Sequence, residues 1–428
     1  MTLAFVEDIF VYTSSPRSLY LNPEAPDWIT VDEKYKPILD LVDGKNDDSA
    51  LYDHINHFYS DEKDVLTSQM QSLLATSRIF KHNQNQGQDN CMMDNGLGAP
   101  KSIYLTLTDS CNLKCIYCYA TERKKHENAT LETWKNYVAD IMDFAGKPAF
   151  TFTGGEPLLV PYVLALAAYI KERGGECLLL TNGTLIDTAE KAAKIAELFG
   201  MVKISLDTLD EGISKTLRGQ GVVEKARKAI DLLSAQKCNV QVQATITSKT
   251  HKNLDTFAAA FNHQVHFQPL YRDMGRARSK EDLSISGVQY FNALKSNGIF
   301  INLSGFHQNI HGYRNNPYKR CALAKEELSV DSDGNVFPCH MLHFESLVCG
   351  NLKKESISDI YRNSPVLNEM RTVNVDTVPK CKVCVFRNIC GGACRARVDI
   401  VKDGIKGADS FCTFEQESIL DALLYSYG

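Results

Sequence analysis

Cysteine is the residue type whose number and spacing speak first for chemistry in this chain. There are 14 among 428 residues, and three of them, Cys111, Cys115 and Cys118, share one short stretch in the pattern Cys-x3-Cys-x2-Cys. Large intracellular chains keep their thiols reduced, so clustered cysteines point to metal rather than to disulfides. Thiolates are soft donors that select zinc, Cu(I) or iron–sulfur clusters, and a structural zinc normally takes four protein ligands. The loop holds no histidine, His126 lying beyond it. Three thiolates then suit three corners of a cubane cluster whose fourth iron has no protein ligand. Zinc completed from a distant part of the chain is the competing reading.

A second set, Cys321, Cys339, Cys381, Cys384, Cys390, Cys394 and Cys412, fills the last quarter of the sequence. Taken alone, its Cys-x2-Cys pair fits a zinc ribbon as well as a cluster. Cys177 and Cys238 read as small buried hydrophobes, Cys91 as incidental, and Cys349 stands apart. His340 and His343, beside Cys339, fit either groups that support a cysteine ligand or, more commonly, exposed loop histidines. The turn Gly154-Gly155-Glu156-Pro157 is a weak signal by itself. Asn182-Gly183 is a common turn, and Asp207 and Arg218 serve equally well as solvated loop charges.

Periodicity supplies the elements that must position these groups. Ile103, Leu105 and Leu107 alternate with polar neighbours, a strand that runs straight into the first cysteine group. Further strands are expected at 149–153, 177–181, 202–206, 240–246 and 265–270. Helices are expected between them, at 161–172, on the face of Ala192, Ile195, Ala196 and Phe199, and on that of Val222, Ala226, Ala229, Ile230 and Leu233. Repeated βα units predict a parallel sheet with its site at the C-terminal strand ends, here over residues 101–275. Ahead of it, residues 1–82 read as an α+β unit of winged-helix shape, a hairpin (3–11 and 18–21) followed by three helices, with a polar linker at 83–100. Behind it come a bridging region (276–320), the cysteine-rich segment (321–413) and a C-terminal helix or tail (414–428).

Composition narrows the function. The 47 basic and 52 acidic residues give a net charge of −5, no broad cationic field for nucleic acid. No run reaches the ~20 apolar residues of a membrane span. Glu7 and Asp8 stand where an export signal carries basic residues, so a cytoplasmic protein is expected.

The three-cysteine loop, with Tyr117 before its last cysteine and a βα series after it, resembles the signature of radical S-adenosylmethionine (SAM) enzymes. The resemblance implies an α/β fold, a partial (β/α)6 TIM-like barrel with a 4Fe-4S cluster on Cys111, Cys115 and Cys118. By the same resemblance Gly154, Gly155, Glu156 and Pro157 receive the methionine amino group, the glycines allowing the ligand close to the main chain. Tyr117, Thr181, Asn182, Ser205 and Asp207 line the cofactor site, and Arg218 pairs with the methionine carboxylate. The chemistry implied is reductive cleavage of SAM to a 5′-deoxyadenosyl radical that takes a hydrogen atom from substrate.

Cys321, twelve residues, Gly334, four residues, Cys339, then Cys381-x2-Cys384-x5-Cys390-x3-Cys394 and Cys412 resemble the seven-cysteine pattern of SPASM domains. That resemblance implies two auxiliary 4Fe-4S clusters, three clusters in all: an outer one on Cys381, Cys384, Cys390 and Cys412, an inner one on Cys321, Cys339 and Cys394. The inner set is one ligand short. Glu327 occupies the neighbourhood where some relatives place another cysteine, which leaves an open iron, Cys349 or a noncysteine ligand.

SPASM relatives mostly modify peptides or proteins. The N-terminal unit resembles the precursor-recognition (RRE-like) domain of ribosomal-peptide (RiPP) maturases, which captures a leader peptide as an added strand, here along 18–22; a plain helical packing domain is the bland alternative. The expected activity is an intramolecular crosslink in a ribosomally made precursor peptide, with a flavodoxin or ferredoxin as one-electron reductant. A thioether is favoured over a carbon–carbon bond because the inner set is short of a ligand. Oxidation of a protein Cys or Ser of the sulfatase-maturing kind is the alternative. A non-catalytic electron carrier is a further one, for which Gly154 to Pro157 and Arg218 would have no purpose. No general acid or base stands out.

Overall fold

The structure is a computed structural model that describes residues 2–25, 27–81, 97–122, 127–299 and 321–425. Cys91, His126, most of the expected linker and the second half of the expected bridging region lie outside the described residues.

The N-terminal unit contains β1 (Thr2–Ala4), β2 (Phe10–Ser14), β3 (Arg17–Asn22), β4 (Asp27–Asp32), α1 (Lys36–Asp40), β5 (Asp43–Asp47), α2 (Asp48–Phe58) and α3 (Lys63–Thr76). In place of the single expected hairpin there are two small sheets: β2, β3 and β4 form one antiparallel sheet in that order, and β1 pairs with β5. Trp28, Ile29, Thr30 and Val31 are strong strand formers, which is why this stretch extends the sheet before the first helix begins. The expected free edge at 18–22 is therefore corrected. That segment is the middle strand, paired on both sides, and the sheet's outer strands are β2 and β4.

Alternation along β3 buries both faces of this sheet. Leu19 and Leu21 pack with Trp28 against Ile389 and against Ile419, Ala422 and Leu423 of the C-terminal helix Cys412–Tyr425. Tyr20 and Ile29 turn the other way, onto Ile38, Leu51, Ile55, Leu66 and Met70. Thr30 Oγ1 and Arg17 Nη1 donate to the carbonyls of Leu423 and Leu424, at 2.6 and 2.7 Å. The N-terminal unit is thus clamped to the far end of the chain.

The barrel follows as β6 (Ser102–Thr106), α4 (Leu131–Ala145), β7 (Ala149–Thr153), α5 (Val163–Glu172), β8 (Glu176–Thr181), α6 (Ala189–Leu198), β9 (Met201–Ser205), α7 (Glu211–Leu217), α8 (Val222–Ala235), β10 (Val240–Ile246), α9 (Leu254–Ala259), β11 (Val265–Pro269) and α10 (Gly287–Ser296). Thr130, Thr188 and Asp210 cap α4, α6 and α7, each side chain accepting a main-chain N–H of the first turn. All six strands run parallel, in the order β11-β10-β9-β8-β7-β6. Ile103, Leu105, Phe150, Phe152, Leu179, Val202, Ile204, Val242 and Ala244 share one core with the surrounding helices. The alternate residues, among them Tyr104, Thr106, Thr151, Thr153, Ser205 and Gln243, face the other side of the sheet and form the polar lumen.

The sheet does not stop at β6. A short strand, β12 (Glu327–Val330), pairs parallel to it with Ser329 opposite Tyr104, and β13 (Asn335–Phe337) and β14 (Gly350–Asn351) continue antiparallel to make nine strands among the described residues. The cysteine-rich region is thus bonded directly to the barrel wall. No helix among the described residues is long and apolar enough to cross a membrane.

Candidate active site and cysteine centres

The first cysteine group lies where β6 ends, and the Gly154–Glu156 segment holds it there. Leu107 N donates to Thr153 O (3.0 Å), Gly155 N to Thr108 O (2.7 Å) and Glu156 N to Ser110 O (2.9 Å), continuing the pairing of β6 and β7 beyond both strands. Gly154 sits at φ +144° with a Cβ position 2.4 Å from Thr108 O, and a Cβ on Gly155 would lie 2.2 Å from Ser110 O. Both glycines are required by main chain meeting main chain, a different reason from the ligand approach the sequence suggested. Gly155→Ala must push Ser110 and the adjoining Cys111 aside. The expected result is a loss of about four irons per chain on anaerobic reconstitution. Gly98→Ala is the control, because a Cβ there meets nothing within 4 Å; wild-type iron in Gly155→Ala would overturn this account.

Glu156 is fully buried. Its carboxylate accepts from Thr181 Oγ1 (2.7 Å), Asn182 N (2.8 Å) and Leu158 N (3.1 Å). Three of its four lone-pair sites are spent on the protein, so its side chain ties the end of β8 to the turn after β7. Burial raises its pKa, partly offset by these bonds. Asn182 in turn donates to Asn112 Oδ1 (2.8 Å), while Thr184 N and Oγ1 donate to Asn182 Oδ1 at 2.9 and 2.6 Å. Asn182-Gly183 is thus more than a turn: it aligns the residue beside Cys111. Pro157 opens the one-turn helix Pro157–Leu159, and Ser205 closes β9.

Asp207 and Arg218, which as loop charges would be solvated, are buried as one unit. Arg218 Nε and Nη2 each lie 2.7 Å from a different oxygen of Asp207, a bidentate pair, and Thr245 N donates to Asp207 Oδ1 at 2.9 Å. The Tyr117 hydroxyl donates to the other oxygen, Oδ2, and the guanidinium lies over the Tyr117 ring, 5.5 Å from its centre. Burial opposes the charge on Arg218, but Asp207 outweighs it and keeps the guanidinium protonated. Burial, with the Asp207 charge, pushes the Tyr117 phenol well up. Two of the five N–H groups of Arg218 are therefore already engaged.

The loop itself is anchored by groups that sequence reasoning did not single out. Ile116 N donates to Leu217 O (2.9 Å), Arg276 Nη1 to Cys115 O (2.8 Å) and Arg276 N to Cys118 O (3.1 Å). Gly275, at φ +52°, has a Cβ position 2.2 Å from Cys118 O, so only glycine fits. The Gly-Arg pair just past β11 was the available signal. Burial, with the nearby Cys118 and Cys111 charges, raises Cys115 to about 11 although Arg218 lowers it, and burial likewise raises Cys111. A thiol pushed up in this way binds metal with release of its proton.

Behind the barrel the later cysteines separate into two groups. Cys321, Cys394 and Cys339 lie close enough for the charge on each to raise the next, with Tyr271 bonded to Cys394. Burial raises Cys381 and Cys412, and the nearby Cys384 charge adds to both, while Gln416 Nε2 lies 3.5 Å from Cys384 Sγ. Cys390 packs beside Cys384 at the core shared with the N-terminal sheet. Cys349 is turned elsewhere: its thiol donates to Leu347 O (3.4 Å), next to Ser364 and Arg371, and burial raises it to about 12. Cys177 is a buried hydrophobe as read, whereas Cys238 is only half-buried.

The two histidines are not exposed. His343 Nε2 lies 2.8 Å from Ser329 Oγ and its ring stacks on Phe337 at 4.1 Å. His340 stacks on Tyr104 at 4.0 Å, and its Nδ1 is 2.9 Å from Glu327 Oε1. Both are held because β12 and β13 bring their loop against the barrel wall, a pairing of strands too short to show periodicity.

Residues 105–263 match the radical SAM superfamily, and residues 321–385 match SPASM, an iron–sulfur cluster-binding domain. An AdoMet-dependent heme synthase of Methanosarcina barkeri is 25% identical over 355 residues, 74% of this chain and 97% of that protein. A cysteine-type anaerobic sulfatase-maturating enzyme of Clostridium perfringens is 24% identical over 358 residues, 74% of this chain and 95% of that protein. The fold is similar across more of the chain to SuiB of Streptococcus suis bound to its precursor peptide SuiA, with TM-score 0.62 and 16% identity over 96% of this chain and 99% of that one.

Proposed function

Since the chain is a radical SAM protein with a SPASM domain behind its barrel, we propose that it is a peptide maturase that crosslinks a ribosomally made precursor. The observation that carries this reading is the N-terminal unit. The heme synthase and the sulfatase-maturating enzyme match 74% of the chain, whereas the fold likeness to SuiB, a protein seen with a precursor peptide, extends over 96% and so takes in the extra sheet and helices. In this reading Cys111, Cys115 and Cys118 hold the SAM-cleaving cluster and the two later groups hold auxiliary clusters. When bound, cluster and SAM supply the one-electron sulfonium cleavage that makes a 5′-deoxyadenosyl radical.

This chain's own residues bind and orient. Thr181, Asn182 and Glu156 fix the strand ends around the first cysteine loop, and the remaining N–H groups of Arg218 are available to the methionine carboxylate. Joining two peptide atoms removes two hydrogens, one as an atom and one as a proton, together with one electron; the later cysteine groups would hold the clusters able to take that electron.

Peptide capture by strand addition uses an outer strand, and β2 is the candidate because it exposes two large apolar side chains, Val11 at 46% and Tyr12 at 37%. The test is anaerobic turnover with short peptides encoded near this gene as candidate precursors, read as loss of two hydrogens by mass spectrometry. Lysine at both Val11 and Tyr12 is expected to weaken precursor binding roughly tenfold, about 1.4 kcal/mol. Unchanged binding moves the capture site to β4. Turnover of a porphyrin or a sulfatase peptide, with no reaction on the precursor, would replace the proposal.

A further inference from the structure

The inner cysteine group has three thiols, and the structure puts a carboxylate beside one of them. The chain leaves Cys321 in a tight turn: Lys325, Glu326 and Glu327 all donate their main-chain N–H to Ala322 O, at 3.2, 3.0 and 3.0 Å. Ala324 takes a left-handed conformation at φ +59° and donates to Pro338 O at 3.2 Å. This fold-back brings Glu327, six positions after Cys321 in the sequence, beside Cys339. One carboxylate oxygen of Glu327, Cys339 Sγ and a ring nitrogen of His340 all lie within 4.8 Å of one another.

Glu327 is an unusual carboxylate for this protein. Its side chain is 18% exposed, and its ion pair is with an imidazole rather than with a lysine or arginine. His340 supplies both contacts to Oε1, from Nδ1 at 2.9 Å and from its main-chain N at 3.4 Å. The Cys339 thiol bonds to the same carboxylate, so Glu327 already faces a cysteine of the inner group. A ring nitrogen bonded to a ligating carboxylate is the usual device for orienting it. The device is rigid here because His340 stacks on Tyr104, a lumen residue of β6.

We propose that Glu327 is the fourth protein ligand of the inner auxiliary cluster, completing Cys321, Cys339 and Cys394. This rests on the reading that these cysteines hold a cluster at all. Cys349, the other candidate, is committed to Leu347 O and lies against Ser364 and Arg371. A closed inner cluster has no iron free to bind a substrate thiolate, so it serves to move electrons. The preference for a thioether, which rested on an open iron, then loses its basis, and a carbon–carbon crosslink stands level with it.

The test uses full-length protein reconstituted anaerobically and produced with glutamate carrying carbon-13 in its side-chain carboxyl. Electron–nuclear double resonance on the reduced, SAM-saturated protein is expected to show a carbon-13 coupling at an auxiliary cluster. Glu327→Cys is expected to lose that coupling while keeping about twelve irons per chain, as three clusters require. Glu327→Ala, the second variant, is expected to show an altered spectrum of the same cluster. About twelve irons with no coupling in the wild type, or a coupling that persists in Glu327→Cys, overturns the ligand and leaves the three-cluster reading standing. About eight irons or fewer, with zinc on the Glu327, Cys339 and His340 group, overturns both.

Discussion

Cys115→Ala is expected to lower SAM cleavage by at least about a thousandfold, to background, a fraction of the rate enhancement enzymes commonly supply. Two thiolates on one loop do not hold a cubane, and the cysteines that act on Cys115 are its loop neighbours Cys118 and Cys111. Iron is expected to fall by about four per chain, with the auxiliary signals retained. For the outer group this follows from the architecture: Cys384 and Cys390 pack in a core with the C-terminal helix and the N-terminal sheet, separate from the barrel core. The measurement is 5′-deoxyadenosine formed per chain, paired with iron analysis and the spectrum of the reduced protein. Retained cleavage in Cys115→Ala would remove the first cysteine group from the chemistry. Loss of all iron would instead mean that the three centres stand or fall together.

Much of this site was legible because its scaffold repeats. Ile103, Leu105 and Leu107 alternate over a polar face, and Val222, Ala226, Ala229 and Leu233 recur at helical spacing, so β6 and α8 declare themselves within a dozen residues. The cysteine spacings are local too. What stayed hidden are partnerships between distant positions. The carboxylate of Asp207 meets Arg218 and the main chain of Thr245, and the side chain of Arg276 reaches back 161 positions to Cys115. No strand was expected at Asp27–Asp32, because strand formers such as Trp28 to Val31 do not by themselves say which strand they pair with. The strand at 327–330 is four residues long and carries its information in register, Glu327 opposite Ser102, rather than in pattern. The two glycines before Glu156 looked like a ligand's doing, and only the positions of Thr108 O and Ser110 O reveal the nearer cause.

Asp207→Ala is expected to cost about 3–5 kcal/mol of folding stability, the range for removing one partner of a buried ion pair. Arg218 is 9% exposed and Asp207 4%, so neither charge is compensated by water once the other is gone. The substitution strands the guanidinium, the Thr245 N–H and the Tyr117 hydroxyl together, because all three meet on the two oxygens of Asp207. An exposed pair of similar length, Lys194–Glu190 at 2.8 Å, supplies the contrast: Lys194→Ala is expected to leave the urea midpoint where it is. Replacing both partners, Asp207→Leu with Arg218→Met, is expected to recover most of the lost stability, since no buried charge is left alone. SAM cleavage is expected to stay low in that double variant. Tyr117 sits between Cys115 and Cys118 on the loop and loses the acceptor that fixes it, and the guanidinium proposed for the methionine carboxylate is gone. Stability that returns while cleavage does not would separate holding the fold together beneath the cysteine loop from the proposed role of Arg218 toward the cofactor. A single Asp207→Ala midpoint within about 1 kcal/mol of wild type would mean that the pair is screened by solvent, contrary to its burial.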